Sequence, residues 1–174
     1  MKTFSNHPIT SHYQIFKLTN FQIANLIRKT GCLFILVIFS ANVTFSQEIE
    51  WQNTIGGSGL DWLYSLQQTT DGGYILGGTS YSNISGDKTE NHFGQGQGDY
   101  WIVKVDSLGV IQWQNTIGGD WSDQLYSIEQ TADGGYILGG SSGSDSSEDK
   151  TENSIGGDDY WIVKTDSLGI IQWQ

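Results

Sequence analysis

From residue 50 onward the chain alternates short apolar runs with breaks rich in glycine and aspartate. The first four runs cover residues 63–69, 74–78, 100–105 and 110–117. Each run alternates or is continuously apolar over a strand-sized length, whereas the 3.6-residue period of an amphipathic helix is absent. The pattern therefore predicts an all-β fold.

The breaks between these runs are typical of hairpins. Asp71-Gly72 separates the first two runs, and an Asp-Gly turn suits a hairpin because it tolerates positive φ. Residues 106–109 form a tight turn that ends in glycine. Residues 100–105 are apolar on both faces, as expected of a strand that is buried between two sheets.

The unit formed by these four runs and their turns occurs twice in the chain. Residues 51–57, 71–78 and 99–104 recur as residues 113–119, 133–140 and 159–164, and a third copy opens at Trp173-Gln174. Four antiparallel strands per repeat predict a β-propeller-like architecture with two four-stranded blades. The predicted organisation is a signal peptide over residues 1–46, a first blade over residues 47–112 and a second blade over residues 113–174.

Two blades make an incomplete propeller, since closed propellers use about 4–8. Each outer face would present roughly 380 Å² of sheet, comparable to the largest apolar patch of a soluble monomer. The last strand is cut at Gln174 unless residues 49–54 complete it. We therefore interpret the chain as a fragment of a longer reading frame, or as an assembly unit that associates with further blades or with itself.

Residues 1–46 predict export. An apolar block at residues 31–41, centred on residues 33–39, follows Arg28-Lys29, and Thr44-Phe45-Ser46 places small residues before Gln47. The block is about half as long as a membrane-spanning helix. An uncleaved anchor and a buried strand are the alternatives. Cys32 lies at the beginning of the block, whereas a lipoprotein signal places its cysteine after the block, which argues against lipidation. As the single cysteine, it excludes an intrachain disulfide framework.

The predicted mature chain is strongly acidic. Residues 47–174 carry 4 basic and 19 acidic residues, a net charge of −15. Such a surface repels nucleic-acid phosphate and anionic lipid, so we predict no nucleic-acid partner and no membrane binding after signal removal. The predicted partner is an unidentified protein or a glycan.

Candidate chemistry is sparse. No Ser-His-Asp order, nucleotide loop or zinc pattern is present, so we assign no catalytic or cofactor-binding residue and predict a non-enzyme. His92, which is replaced by Ser154 in the second copy, is predicted to be a surface loop residue, with pH sensing as the alternative. Four aspartate pairs are predicted to cap backbone amides at turns and strand starts: Asp61/Asp123, Asp71/Asp133, Asp99/Asp159 and Asp106/Asp166.

Two polar loops, residues 80–99 and 142–159, share the stretch Asp-Lys-Thr-Glu-Asn and are candidates for a ligand-facing edge. Asp145, Glu148 and Asp149 are weak Ca²⁺ candidates, and a solvated acidic loop is the alternative. The tyrosines and tryptophans of the strands are predicted to pack between blades. If exposed, they would form a glycan-stacking surface.

The repeated sequences W-Q-N-T-I-G-G, D-G-G-Y-I-L-G-G and D-Y-W-I-V-K-x-D-S-L-G-x-I-Q-W-Q resemble the propeller repeats of large secreted proteins from Bacteroidetes-type bacteria. Many of those proteins end in a type IX secretion sorting domain, which this chain lacks. A more distant similarity to quinoprotein-type blades implies that Trp113 docks one blade on the next. The resemblance covers residues 50–174 and implies a fold and a secreted or cell-surface location, but little chemistry.

The sequence thus predicts a secreted or cell-surface repeat module with a non-catalytic binding or scaffolding role. The main alternative is an accessory repeat region of a secreted polysaccharide-degrading, endoglucanase-like protein. A quinoprotein-like enzyme is a second alternative, for which the sequence supplies no cofactor site.

Overall fold

Successive hairpins fold the chain into two antiparallel sheets. The computed structural model describes residues 48–94 and 97–174, which contain eight strands and no helix. The strands are β1 (Asp61–Gln68), β2 (Tyr74–Ser80), β3 (Asp99–Val105), β4 (Ile111–Ile117), β5 (Asp123–Gln130), β6 (Tyr136–Ser142), β7 (Asp159–Thr165) and β8 (Ile171–Trp173). Sheet 1 has the order β1-β2-β3-β4 and sheet 2 the order β5-β6-β7-β8. The predicted all-β fold of two four-stranded, propeller-like blades is confirmed.

The turns of sheet 1 have the chemistry that the sequence predicts. Between β1 and β2, Gly72 has a φ of 86°, and the Asp71 carboxylate accepts hydrogen bonds from the Thr69 hydroxyl and the Gly73 amide. Between β3 and β4, the Asp106 carboxylate accepts the amides of the residues two and four positions later. The same bonds recur in sheet 2.

The other two aspartate pairs hold the starts of strands. Asp61 and Asp123 each accept the amide of the glycine four residues earlier, at 2.7 Å. Asp99 and Asp159 each accept a loop amide, at 2.5 and 2.6 Å. All four pairs therefore cap main-chain N–H groups, and the structural interpretation of these carboxylates is confirmed.

The two sheets pack face to face. Neighbouring residues of a strand point to opposite sides, so we call the surface that carries Tyr100 and its counterpart Tyr160 the forward face. The surface that carries Trp101 and Trp161 is the rear face. The main core joins the forward face of sheet 1 to the rear face of sheet 2, and its buried members are Ile75, Tyr100, Ile102, Ile117, Leu125, Ile128, Tyr136, Leu138, Trp161 and Val163.

A smaller cluster lies on the rear face of sheet 1. Trp101, Val103 and Val105 are buried there, and Ile55 from the segment before β1 packs against them. Residues 49–54 are not part of a strand. They lie against sheet 1 and do not complete sheet 2, because Asn53 donates its side-chain amide to the Gly109 carbonyl at 3.0 Å.

The sheets are out of phase with the sequence repeat. The repeat unit that begins at Trp113 starts within β4, so sheet 1 extends beyond residue 112 to Ile117. Trp113 then packs on the next sheet, with its ring 5.7 Å from that of Tyr136. The docking role implied for Trp113 is thus confirmed.

The predicted signal peptide, residues 1–46, lies outside the described residues. Within residues 48–94 and 97–174, no helix is long and apolar enough to cross a membrane. At the other end, β8 pairs with β7 only at Lys164 and Thr165, whereas β4 pairs with β3 from Tyr100 to Val105.

Candidate functional site

The two polar loops are tied to the strands behind them. Lys88, from the first Asp-Lys-Thr-Glu-Asn stretch, is 1% exposed; its Nζ donates to the Thr116 hydroxyl and lies 5.2 Å from the centre of the Trp101 ring. Burial lowers the pKa of Lys88, because it desolvates the charged form. Lys150 lies over Trp161 in the same way, at 5.8 Å. In each copy, the lysine of the Asp-Lys-Thr-Glu-Asn stretch thus anchors its loop to the sheet behind it, which accounts for the repetition of the stretch.

The weak Ca²⁺ candidates take different local roles. Asp145 accepts the amide and hydroxyl of Ser154, and Asp149 accepts the amide of Gly118 at 3.3 Å. Glu148 occupies a turn with a φ of 48°. Within the described parts of the chain, no three His, Cys, Asp or Glu side chains are grouped so as to hold a metal ion. Calcium binding at Asp145, Glu148 and Asp149 stays a prediction.

His92 lies in the first loop and is half-buried. Its Nδ1 is 2.8 Å from the carbonyl oxygen of Phe93. Its counterpart Ser154 instead bonds to Asp145, so the two loops make different contacts at this position.

A group of buried carboxylates lies where the sheets meet. Asp99 from β3 and Asp123 from β5 are fully buried, and among the described residues the Oδ1 atom of each lacks a hydrogen-bond partner. Burial raises the pKa of Asp99 to about 8, and the nearby negative charge of Asp123 acts in the same direction. Burial also raises the pKa of Asp123 and of Asp149. This region therefore favours neutral carboxyl groups.

An exposed line of aromatic rings crosses from sheet 1 to sheet 2. We call Tyr81, Trp62, Tyr64 and Tyr126 the aromatic row. Successive ring centres are 5.6, 6.3 and 5.5 Å apart, and each pair meets edge to face. Trp62, Tyr64 and Tyr126 are 43, 45 and 50% exposed, so the row presents ring surface to solvent across both repeats.

β-Bulges place two members of the row. The pairing of β1 with β2 shifts between Leu63 and Ser65, so Tyr64 is the extra residue. The same shift occurs in β5 at Tyr126. A bulge leaves its extra residue outside the ladder and redirects its side chain. Both rings consequently lie at the free edge of their sheets, where β1 and β5 are the edge strands.

The edges that carry the row are held together by side chains. The Ser65 hydroxyl accepts the Ile128 amide at 3.3 Å, and the Gln67 side chain accepts the Gln130 amide at 2.7 Å. The row is therefore built on fixed strands. Its rings combine an apolar surface with hydroxyl groups, and the Tyr126 hydroxyl donates to Gln124 at 2.6 Å.

The predicted packing of strand aromatics between blades is confirmed for Tyr100, Tyr136 and Trp161, which belong to the main core. It is wrong for the exposed rings of the aromatic row. The spacing of Leu63 and Leu66, three residues apart on one face of a strand, was the sequence feature that could have located the bulge.

No protein-family model matches the chain, and no curated protein matches it.

Proposed function

We propose that this protein is an exported, non-catalytic binding module whose aromatic row holds a carbohydrate chain. The observation that carries the proposal is the continuous exposure of Trp62, Tyr64 and Tyr126 on two adjoining sheets. The C–H faces of sugar rings pack on aromatic rings, and hydroxyl groups beside the rings supply hydrogen bonds. A row of four rings offers contacts to several successive sugar units.

Charge narrows the class of carbohydrate. Residues 47–174 have a net charge of −15, which disfavours sulfated and uronate-rich chains by repulsion. The proposal is therefore a neutral polysaccharide or the neutral glycan of a surface protein. The sequence resemblance to secreted bacterial repeat proteins supports an extracellular setting for such a ligand.

A scaffolding role is the second candidate, favoured by the exposed apolar faces of the two sheets. Tyr160 is 96% exposed and Leu63 is 56% exposed, although their counterparts in the other repeat are buried. An accessory role beside a polysaccharide-degrading domain is compatible with the same aromatic row and remains a prediction.

The double variant Tyr64→Ala/Tyr126→Ala tests the binding proposal on a glycan array and by calorimetry with the array hits. Trp121→Ala is the matched control, because Trp121 is 57% exposed but lies outside the row. We expect the wild type and the control to bind, and the double variant to lose at least about tenfold in affinity, or 1.4 kcal/mol. The proposal would be contradicted if the folded wild type bound no neutral glycan, or if the double variant bound as tightly as the wild type.

A further inference from the structure

The open faces of the two sheets have complementary compositions. The forward face of sheet 2 exposes Tyr160 and Ile162, which are 96 and 52% exposed. The rear face of sheet 1 exposes Leu63 and Leu66, which are 56 and 55% exposed. A groove of about 240 Å³ lies on this rear face, between residues 53–55 and the strands β1, β2 and β3.

Within one chain, the forward face of sheet 1 already packs on the rear face of sheet 2, and we call this interface the joint. Where sheet 1 meets sheet 2, the Tyr100 hydroxyl donates to the Trp161 carbonyl at 3.1 Å, and the two rings are 5.0 Å apart. A Cβ atom on Gly77 would lie 2.8 Å from Leu125 and 2.9 Å from Ile128. The absence of a side chain at Gly77 thus lets two apolar residues of sheet 2 approach.

The repeat places the same residues on the open faces. Tyr160, Ile162 and Gly139 of sheet 2 match Tyr100, Ile102 and Gly77 of sheet 1. A Cβ on Gly139 would meet nothing within 4 Å, so this counterpart of Gly77 faces open space. On the rear face, sheet 1 repeats the partners of that joint with one conservative difference, Leu66 in place of Ile128. The six counterparts are Leu63, Leu66, Tyr74, Leu76, Trp101 and Val103.

We propose that a second copy of this chain docks the rear face of its sheet 1 onto the forward face of sheet 2. Leu63 and Leu66 of the second copy then fill the space over Gly139, and the Tyr160 hydroxyl bonds to the second copy's Trp101 carbonyl. The joint is head to tail, so it generates a ring if the rotation closes and an open array if it does not.

The expected strength is modest. A whole face covers roughly 380 Å² of sheet, and residues 51–55 already cover part of the rear face of sheet 1. The available area is therefore well below the roughly 800 Å² per partner of a standard stable interface. Trp51 already sits on Tyr74, with ring centres 5.9 Å apart, as Trp113 sits on Tyr136. Trp173 of sheet 2 occupies the position that Trp113 occupies in sheet 1. On docking it would compete with Trp51 of the second copy for the same tyrosine ring, so the Trp173 side chain must move away. Association should therefore depend on concentration.

Sedimentation velocity of the full chain over a wide concentration range tests the proposal. Gly139→Arg blocks the forward face and Leu66→Arg places a charge on the rear face. Both sites are free enough to accept the change without disturbing the core. Ile155→Arg is the matched control, because Ile155 is 95% exposed and lies in the loop before β7, outside the strands that form both faces. The N-terminal segment is common to all variants.

The wild type and the control should show concentration-dependent association, and each blocked variant alone should lose it. An equimolar mixture of the two blocked variants should form dimers and nothing larger, because each retains the one face that the other lacks. A wild type that stays monomeric throughout, association that survives in the blocked variants, or a mixture that stays monomeric would each overturn the proposal.

Discussion

At the scale of single residues, the fold depends on carboxylates that play opposite electrostatic roles. Asp71 and Asp133 have lowered pKa values, mainly because threonine hydroxyls donate to them and then because Lys104 and Lys164 do so. Lys104 Nζ lies 2.9 Å from Asp71, whose side chain is 56% exposed, so solvent screens this ion pair. Asp99 is fully buried, and its pKa moves in the other direction.

Replacement of Asp99 should change how stability depends on pH. Its pKa is about 8 in the folded chain, against an ordinary value of 3.8 that applies to the unfolded chain, so the native state holds a proton that the unfolded state releases. The stabilisation is complete below about pH 4 and is lost as the pH rises towards 8, with a slope of at most about 1.4 kcal/mol per pH unit. Asp123 and Asp149 act in the same direction.

In Asp99→Asn the side chain is neutral at every pH and still accepts the Phe93 amide. We expect urea unfolding to show a shallower decline in stability between pH 5 and pH 8, with the variant gaining on the wild type as the pH rises. Lys88 and Asp149 also face this carboxyl group and retain their own contribution. Parallel pH profiles for the variant and the wild type would show that Asp99 is already ionised in the folded chain.

At the scale of elements, each copy of the Trp-Gln-Asn-Thr-Ile-Gly-Gly stretch docks on the sheet that follows it in the chain. Asn115 donates to the Gly169 carbonyl at 2.8 Å, as Asn53 donates to the Gly109 carbonyl. The backbone amides of Gly57 and Gly119 donate hydrogen bonds to aspartate carboxylates at the start of the sheet that follows. The stretch is thus a docking element that is used twice with the same contacts.

Replacement of the tryptophan of this stretch should lower the free energy of unfolding more at Trp113 than at Trp51. Trp113 lies in β4 and packs against the main core, so Trp113→Ala should destabilise the fold by roughly 2–3 kcal/mol. Trp51 is 38% exposed and precedes the first strand, so Trp51→Ala should cost only about 1 kcal/mol. Urea unfolding with linear extrapolation measures both free energies. An equal or larger loss in Trp51→Ala would contradict the unequal roles.

The sequence could predict most of these elements because apolar alternation and Asp-Gly turns are local features. The run at residues 74–78 became β2, which extends to Ser80, and the run at residues 110–117 became β4. The bulges were missed because they depend on the pairing of two strands. The exposure of the aromatic row follows from those bulges, so the candidate site was predicted only as an alternative. The burial of Lys88 depends on Trp101 and Thr116, which lie far along the chain.

At the scale of the whole molecule, the account depends on one relation: the forward face of sheet 1 packs on the rear face of sheet 2. The relation explains why Tyr100 is buried while Tyr160 is exposed, although both occupy the same place in their repeats. It also explains why two regions that are distant in sequence share one core. The proposed association extends the same relation from one chain to two.

The most direct test of this relation is a solution NMR measurement of contacts between the rings of Tyr100 and Trp161 in a dilute sample. The ring centres are 5.0 Å apart, and the Tyr100 hydroxyl bonds to the Trp161 carbonyl. The account predicts strong cross-relaxation between these two rings and none between the rings of their counterparts, Tyr160 and Trp101. A solvent-exposed Tyr100 ring without cross-peaks to Trp161 would contradict it.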